Sequence, residues 1–398
     1  MMIYKKWLLL LCLAMITRAG FSQTEVDERA MIRFDKGLGF NAPDSVFGLN
    51  LRFRMQNRAG FQTVSTDDLS VDLVEARVRR LRLRLDGYIK NQKLNYYIQL
   101  SFSRSDQDWD GSHVPNVIRD AMVYYHFTPK FYIGFGQGKL PGNRQRINSS
   151  GQLQFADRSM VNAEFNIDRD FGMMFYYSDL FAGVDYNLKA AISSGEGRNA
   201  LASDDGLAYT GRVELMPLGR FLNDGDFSEG DLEFEPTPKL SVAAGYSYND
   251  KAIRRAGQRG SNLYEQRDLK NFYGDILFKY SGWAWYGEYM QRTVDDPFTY
   301  SGEDMIYVYS GNGVNTQLSF CFQNFWEIAG RYSIVNPSEE ISQHNSTISD
   351  YTIGVTKYLY RHKVKLQANS SLIKQNAISG ISGEKKYFNV LFQVELGI

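Results

Sequence analysis

Cysteine is nearly missing from this chain of 398 residues, which has only Cys12 and Cys321. Cys12 lies in an N-terminal apolar run and is expected to leave with it, so Cys321 stands alone. That excludes a disulfide framework and a cysteine metal cluster. No internal run of 18 or more apolar residues occurs, which excludes a bundle of transmembrane helices. Net charge is also missing, with 45 basic against 45 acidic residues. Histidine is scarce. His113 and His344 fall in loops, His362 at a turn and His126 at a strand end. None has a serine or cysteine partner at a catalytic spacing, so no enzymatic role is expected. No Walker, Rossmann or zinc pattern is present, and no cofactor is expected.

The first residues hold no acid. Lys5 and Lys6 precede an apolar stretch from Trp7 to Ile16, and Gly20 and Ser22 stand at −3 and −1 of a cut before Gln23. This is the pattern of a secretory signal peptide over residues 1–22. Its removal takes Lys5, Lys6 and Arg18 and leaves 42 basic residues against 45 acidic. A slightly acidic exported chain has no reason to bind nucleic acid. Residues 23–46 are polar, with Gly37, Gly39 and Pro43, and read as an irregular periplasmic lead-in. The remainder, 47–398, reads as one unit.

What is abundant is tyrosine and phenylalanine, 26 each, and alternation. The stretch VEARVRRLRLRLD, Val74 to Asp86, has a period of two. Val74, Ala76 and Val78 share a face, then Leu81, Leu83 and Leu85, with a one-residue slip at Arg79–Arg80. Period two means a β-strand, and the slip is what a β-bulge leaves in a sequence. One face is aliphatic and the other is arginine. A transmembrane barrel with a lipid face and a wet lumen supplies both solvents.

The same alternation recurs near 47–56, 94–103, 120–127, 131–139, 168–178, 180–193, 207–216, 239–249, 271–280, 282–293, 313–323, 325–335, 350–360, 362–373 and 386–398. With the arginine strand this makes sixteen, an even number, as a single-chain antiparallel barrel requires. The fold class is therefore all-β. Short connections, such as Thr128–Lys130, Ser178–Asp179 and Tyr360–His362, alternate with long polar ones, such as 140–166 and 250–270. That is the asymmetry of periplasmic turns and extracellular loops. Pro217 to Pro238 is long and acidic yet falls on the short-turn side, which the alternation does not explain. Aromatics gather beside the short turns, among them Phe127, Phe131, Tyr132, Tyr176, Phe181, Trp283, Trp326, Tyr358 and Tyr360. These are expected to form a girdle at headgroup level. Lys357 falls on a nominally lipid-facing position, to be explained by snorkelling or by a register one residue off.

Several segments resemble the phosphate-selective porin O and P family of bacterial outer membranes. They are VRRLRLRLDGYI (78–89), RDAMVYYHFTPKFYIGFGQGKLP (119–141), SSGQLQFADRS (149–159), RDFGMMFYY (169–177), FWEIAGRYSIVNP (325–337) and YTIGVTKYLYRHKVKLQANS (351–370). Their order and spacing carry the resemblance. The Ser-Gln end of the signal is similar to those of Bacteroidetes exported proteins. The resemblance implies a sixteen-stranded outer-membrane barrel, a homotrimer, passing small anions such as phosphate without energy input.

Two groups of residues could carry selectivity. The first is an arginine ladder, Arg52 and Arg54 on one strand and Arg77, Arg79, Arg80, Arg82 and Arg84 on the next. Guanidinium offers a permanent charge and a planar fork to phosphate or carboxylate oxygens. The bland alternative is a wall neutralised by Glu75, Asp86, Asp120, Asp168 or Asp170. The second is the long connection 140–166 with its flanks, holding Lys139, Arg144, Arg146, Asp157 and Arg158. It is the third loop, which folds inward in general porins, so it is expected to constrict the channel. The family's entrance lysines have no counterpart here. The competing functional readings are a general, organic-anion or sugar porin, a rim-active outer-membrane enzyme, and a surface-binding barrel with a closed lumen.

Overall fold

The computed structural model describes residues 31–33, 37–42, 46–103, 117–200, 205–378 and 382–398. The expected signal peptide, Cys12 and His113 lie outside the described residues. Sixteen antiparallel strands close on themselves. They are β1 (Phe47–Thr63), β2 (Val71–Ile89), β3 (Asn91–Ser101), β4 (Ile118–His126), β5 (Phe131–Lys139), β6 (Arg169–Phe181), β7 (Val184–Ser193) and β8 (Ala208–Met216). There follow β9 (Lys239–Arg254), β10 (Asn262–Tyr280), β11 (Trp283–Thr293), β12 (Gly311–Cys321), β13 (Trp326–Pro337), β14 (Ile348–Tyr360), β15 (Val364–Gln375) and β16 (Lys385–Gly397). Each strand pairs with its sequence neighbours, and β16 closes against β1 from Asn389↔Gln62 to Gly397↔Arg54.

Alternation decides which face meets which solvent. Along β8 burial alternates strictly, with Tyr209, Val213 and Leu215 outside and Thr210, Arg212 and Glu214 buried inside. Phe135, Phe171, Ile192, Leu318, Ile353 and Phe392 are likewise exposed on the outer face, as a lipid-facing band requires. The slip at Arg79–Arg80 is a bulge. Gln56 pairs with Arg80 and Asn57 with Val78, so Arg79 is the extra residue. Lys357 keeps its outward register. Its ammonium donates to the Asn324 carbonyl at 2.6 Å and lies 5.3 Å from the Trp326 ring centre, so it snorkels to the turn beside it.

Three expectations are corrected. The lead-in is not irregular throughout, because Met31–Arg33 and Leu38–Asn41 form a hairpin whose second strand pairs with β1 from Leu38↔Leu51 to Asn41↔Gly48. It occupies the edge that β1 leaves below the end of β16. The turn placed at Ser178–Asp179 lies instead at Ala182–Gly183, both with positive φ. Asp179 stays in β6 because Lys130 donates to it at 2.6 Å and Tyr177 at 2.8 Å, while Gly183 tolerates the left-handed backbone that a two-residue hairpin demands. The girdle also loses members. Phe127, Phe181, Trp283, Trp326 and Tyr360 are exposed outside, but Tyr132, Tyr176 and Tyr358 point into the lumen.

Cys321 is buried beside Leu232 and Tyr358 at the end of β12. A water-soluble maleimide is therefore expected to label it slowly in the folded barrel and fully after unfolding. Equal labelling of both states would contradict the packing.

Candidate functional site

A sixteen-stranded barrel is wide enough for an aqueous channel unless something enters it. Two connections enter this one. The first is the loop between β5 and β6, which carries two short helices, α1 (Arg144–Ile147) and α2 (Met160–Phe165). Its apolar residues Leu140, Val161, Phe165 and Ile167 pack with Tyr273, Met290 and Val335 of the far wall. Glycines on that wall receive it. A Cβ at Gly354 would stand 2.9 Å from the Phe155 ring, and one at Gly313 3.0 Å from Val161.

The second is the acidic connection Pro217 to Pro238, which folds up into the lumen from the turn side. Lys279 holds it, donating to the carbonyls of Gly225 and Gly230 at 2.7 and 2.6 Å and to Ser228 at 2.8 Å. Its Glu229 accepts from Gln145 Nε2 and from the Gln154 backbone, both at 2.8 Å. The two connections therefore meet inside the lumen.

The third loop thus packs inside the barrel, and its cations do different work. Arg144 is buried against the far wall, paired with Asp275 at 2.6 Å and bonded to Ser241 at 2.7 Å. It anchors the loop and faces no open space. Arg146 pairs with Asp168, its Nε at 2.8 Å. Lys139 and Arg158 both reach carbonyls of the loop. Lys139 Nζ donates to Ile147 and Asn148 at 2.7 and 3.1 Å, and Arg158 to Gln145 and Asn148 at 2.6 and 2.9 Å. Neither forms an ion pair among the described residues. Burial, with Arg146 and Arg82 alongside, pulls Arg158 down to about 9. It would gain from an arriving anion.

The ladder also divides. In register, Arg52 stands opposite Arg84 and Arg54 opposite Arg82, then Gln56 opposite Arg80 and Arg58 opposite Arg77. Directly opposed residues hold their Cβ atoms about 4.5–5.5 Å apart, and like charges there repel. The upper part is tied to a residue of the loop tip. Asp157 pairs with Arg58, with Arg79 at 3.1 Å and with Arg80 at 3.5 Å. Burial disfavours its charge, but Arg79, Arg58 and Arg80 outweigh that and hold it far below the usual carboxylate range. Arg77 pairs with Glu75 at 2.7 Å near the mouth and is half exposed.

The lower part is different. Arg52 and Arg84 share one carboxylate, Asp86, at 3.2 and 2.8 Å. Arg54 pairs with Glu395 of β16 at 3.0 Å. Ser149 and Ser150 of the loop accept from Arg54 at 2.6 Å and from Arg82 at 3.1 Å. Of the other acids considered, Asp120 and Asp168 pair with Arg169 instead, and Asp170 caps the next loop through Ser193, Ser194, Gly195 and Gly197. A cavity of about 310 Å³ lies here, lined by Arg52, Arg54, Arg82, Arg84 and Lys139 and closed on one side by Ile147, Ser149 and Ser150.

Sequence reasoning found the ladder and the loop but missed Glu395, Ser149 and Ser150, which position the guanidiniums. Glu395 alternates with Val394 and Leu396, so its inward side was readable, but its pairing depends on barrel closure. The inward tyrosines Tyr97 and Tyr124 fall within the alternating stretches 94–103 and 120–127 and carry no further signal there.

The family model described as phosphate-selective porin O and P matches residues 49–379. No curated protein sequence matches the chain. Among solved structures, the anion-selective porin from Comamonas acidovorans is similar at 13% identity and a TM-score of 0.57, covering 88% of this chain and all (100%) of that one. The outer membrane channel DcaP of Acinetobacter baumannii is similar at 12% identity and a TM-score of 0.54, covering 91% and 100%. OmpT of Vibrio cholerae, in its trimer form, is similar at 10% identity and a TM-score of 0.53, covering 89% and 100%.

Proposed function

Since the chain belongs to the phosphate-selective porin O and P family, and is therefore a passive diffusion channel of the outer membrane, we propose that its lower arginine rows make it prefer anions and bind phosphate weakly in transit. The observation that carries this reading is the register Arg52↔Arg84 and Arg54↔Arg82 on the wall of an open cavity. Among the described residues, two carboxylates, Asp86 and Glu395, face these two opposed guanidinium pairs. An arriving phosphate relieves their repulsion and accepts charge-assisted hydrogen bonds from forked donors. The site is open and partly wet, so binding stays shallow, and a solute held weakly can leave as well as enter. Lys139 and Arg158 extend the positive field beside the ladder toward the loop, which concentrates anions there.

The upper arginines Arg58, Arg79 and Arg80 hold the loop through Asp157 and take no part in recognition. Catalysis has no place in this reading, and the chain assembles as a homotrimer like the trimeric porin it is similar to. The test is the reversal potential of the reconstituted channel in a potassium chloride gradient. Anion preference sets its sign toward the chloride equilibrium potential. A cation-selective or unselective potential would overturn the proposal.

A further inference from the structure

We propose that the cavity selects anions that carry a ring, because a wall of tyrosines stands beside the arginines. This rests on the reading of the arginines as an anion site. The wall comes from β3–β6. Tyr124 and His126 project inward from β4, opposite the exposed Val123 and Tyr125. Tyr132 of β5 and Tyr176 of β6 are register partners. Their rings stack at 4.5 Å and 11°, and His126 continues the stack on Tyr132 at 4.6 Å and 22°. Tyr124 stands across from Tyr176, at 6.3 Å and 59°. The two planes make a corner.

The corner belongs to the cavity. Tyr97, Tyr124 and Tyr176 line it together with the arginines. Arg84 lies 4.4 Å over the Tyr97 ring, so the charged wall runs into the aromatic one without a break. Tyr176 also borders a second cavity of about 170 Å³, which holds Lys189 and Arg220. Asp224 and Asp226 line it too, and Lys189 and Arg220 are paired with Glu214 and Asp185, so what this second cavity adds is an aromatic edge.

Glycine makes the corner possible. A Cβ at Gly134 would stand 2.8 Å from Tyr124 Cε1 and 2.8 Å from Met122 Cε. The bare backbone of β5 lets the Tyr124 ring lie across the strand toward Tyr176. This accounts for Gly134 among the glycines of β5.

Size points the same way. The 310 Å³ cavity holds about ten waters at roughly 30 Å³ each, more room than one inorganic phosphate fills. A phosphate monoester with a six-membered ring can place its oxygens on Arg54 and Arg82 and its ring against Tyr124 and Tyr176. Aromatic faces favour offset or edge contacts with a second ring, and two tyrosines supply both.

The experiment compares block of the single-channel chloride current by methyl phosphate and phenyl phosphate, which share the anionic group and differ in the ring. In the wild type, phenyl phosphate is expected to half-block at about a fivefold lower concentration, the scale of one or two aromatic contacts. Tyr124→Leu with Tyr176→Leu keeps bulk in the wall and should bring the ratio near one, with methyl phosphate block unchanged. The chloride conductance of the variant reports that the barrel has folded. Equal block by both esters in the wild type overturns the ring site while leaving the arginine site intact. A ratio that survives the double substitution also overturns it. If neither ester blocks, the arginine reading itself falls.

Discussion

Replacing Arg82 and Arg84 together with glutamate is expected to abolish the anion preference of the channel. Among the described residues on or beside the cavity, Arg52, Arg54, Arg82, Arg84, Lys139, Arg158 and Arg169 stand against Asp86, Glu395 and Asp120. Seven cations against three acids leave an excess of four positive charges, and two exchanges of arginine for glutamate remove four. Both side chains are partly exposed, so the substitutions leave no carboxylate sealed in the wall. Arg52 remains to pair with Asp86. The reversal potential in a salt gradient should move to near zero or to the cation side, and phosphate should no longer block. Neutralising Arg82 alone, as Arg82→Ala, should weaken phosphate block about tenfold or more, the scale of a lost hydrogen bond between charged groups. An unchanged reversal potential in the double variant would mean that selectivity is set elsewhere.

Asp157→Asn is expected to loosen the third loop and widen the channel. The carboxylate ties Arg58, Arg79 and Arg80 to the loop tip. Without it three guanidiniums repel one another, and asparagine restores no charge. The rest of the loop stays docked through Phe155, Val161 and Arg144, so the expected change is local. It should appear as larger and noisier single-channel currents, with the barrel itself intact. The pH dependence follows from the same arginines. A carboxylate whose folded value is depressed contributes stability above its unfolded value, near 4, and loses it only as pH falls through the folded one. The folded value here lies far below the usual carboxylate range. The wild-type current amplitude should therefore stay constant from neutral pH down to mildly acidic pH, where the variant already shows the open behaviour. A wild-type channel that widens between pH 6 and 4 would show that Asp157 does not hold the loop.

The barrel could be read from the chain because alternation is local. A strand such as β2 shows its two solvents in consecutive residues, and even its bulge at Arg79 leaves a visible slip. Loop length is local too, so the inward third loop could be placed by position. The rest depends on contacts between distant residues. Nothing near Asp157 in sequence says that it meets Arg58 and Arg79, about 80 to 100 positions earlier. For that reason the ladder read as one feature when it is two. The connection from Pro217 to Pro238 resisted the alternation because it folds into the lumen, and its holder is Lys279 of β10. Tyrosine misled for a chemical reason. An apolar ring with a polar tip suits the membrane interface and a wet lumen equally, so Tyr132 and Tyr176 were placed in the girdle beside true members such as Trp283.

Anion selection rests on the arginine site below the third loop. The most direct measurement is the wild-type single-channel current in chloride as inorganic phosphate is titrated in, repeated with Arg82→Ala. The structure leads to a saturable block in the micromolar to millimolar range that weakens about tenfold in the variant. A wild-type current that ignores phosphate, or a block that Arg82→Ala leaves untouched, would contradict it.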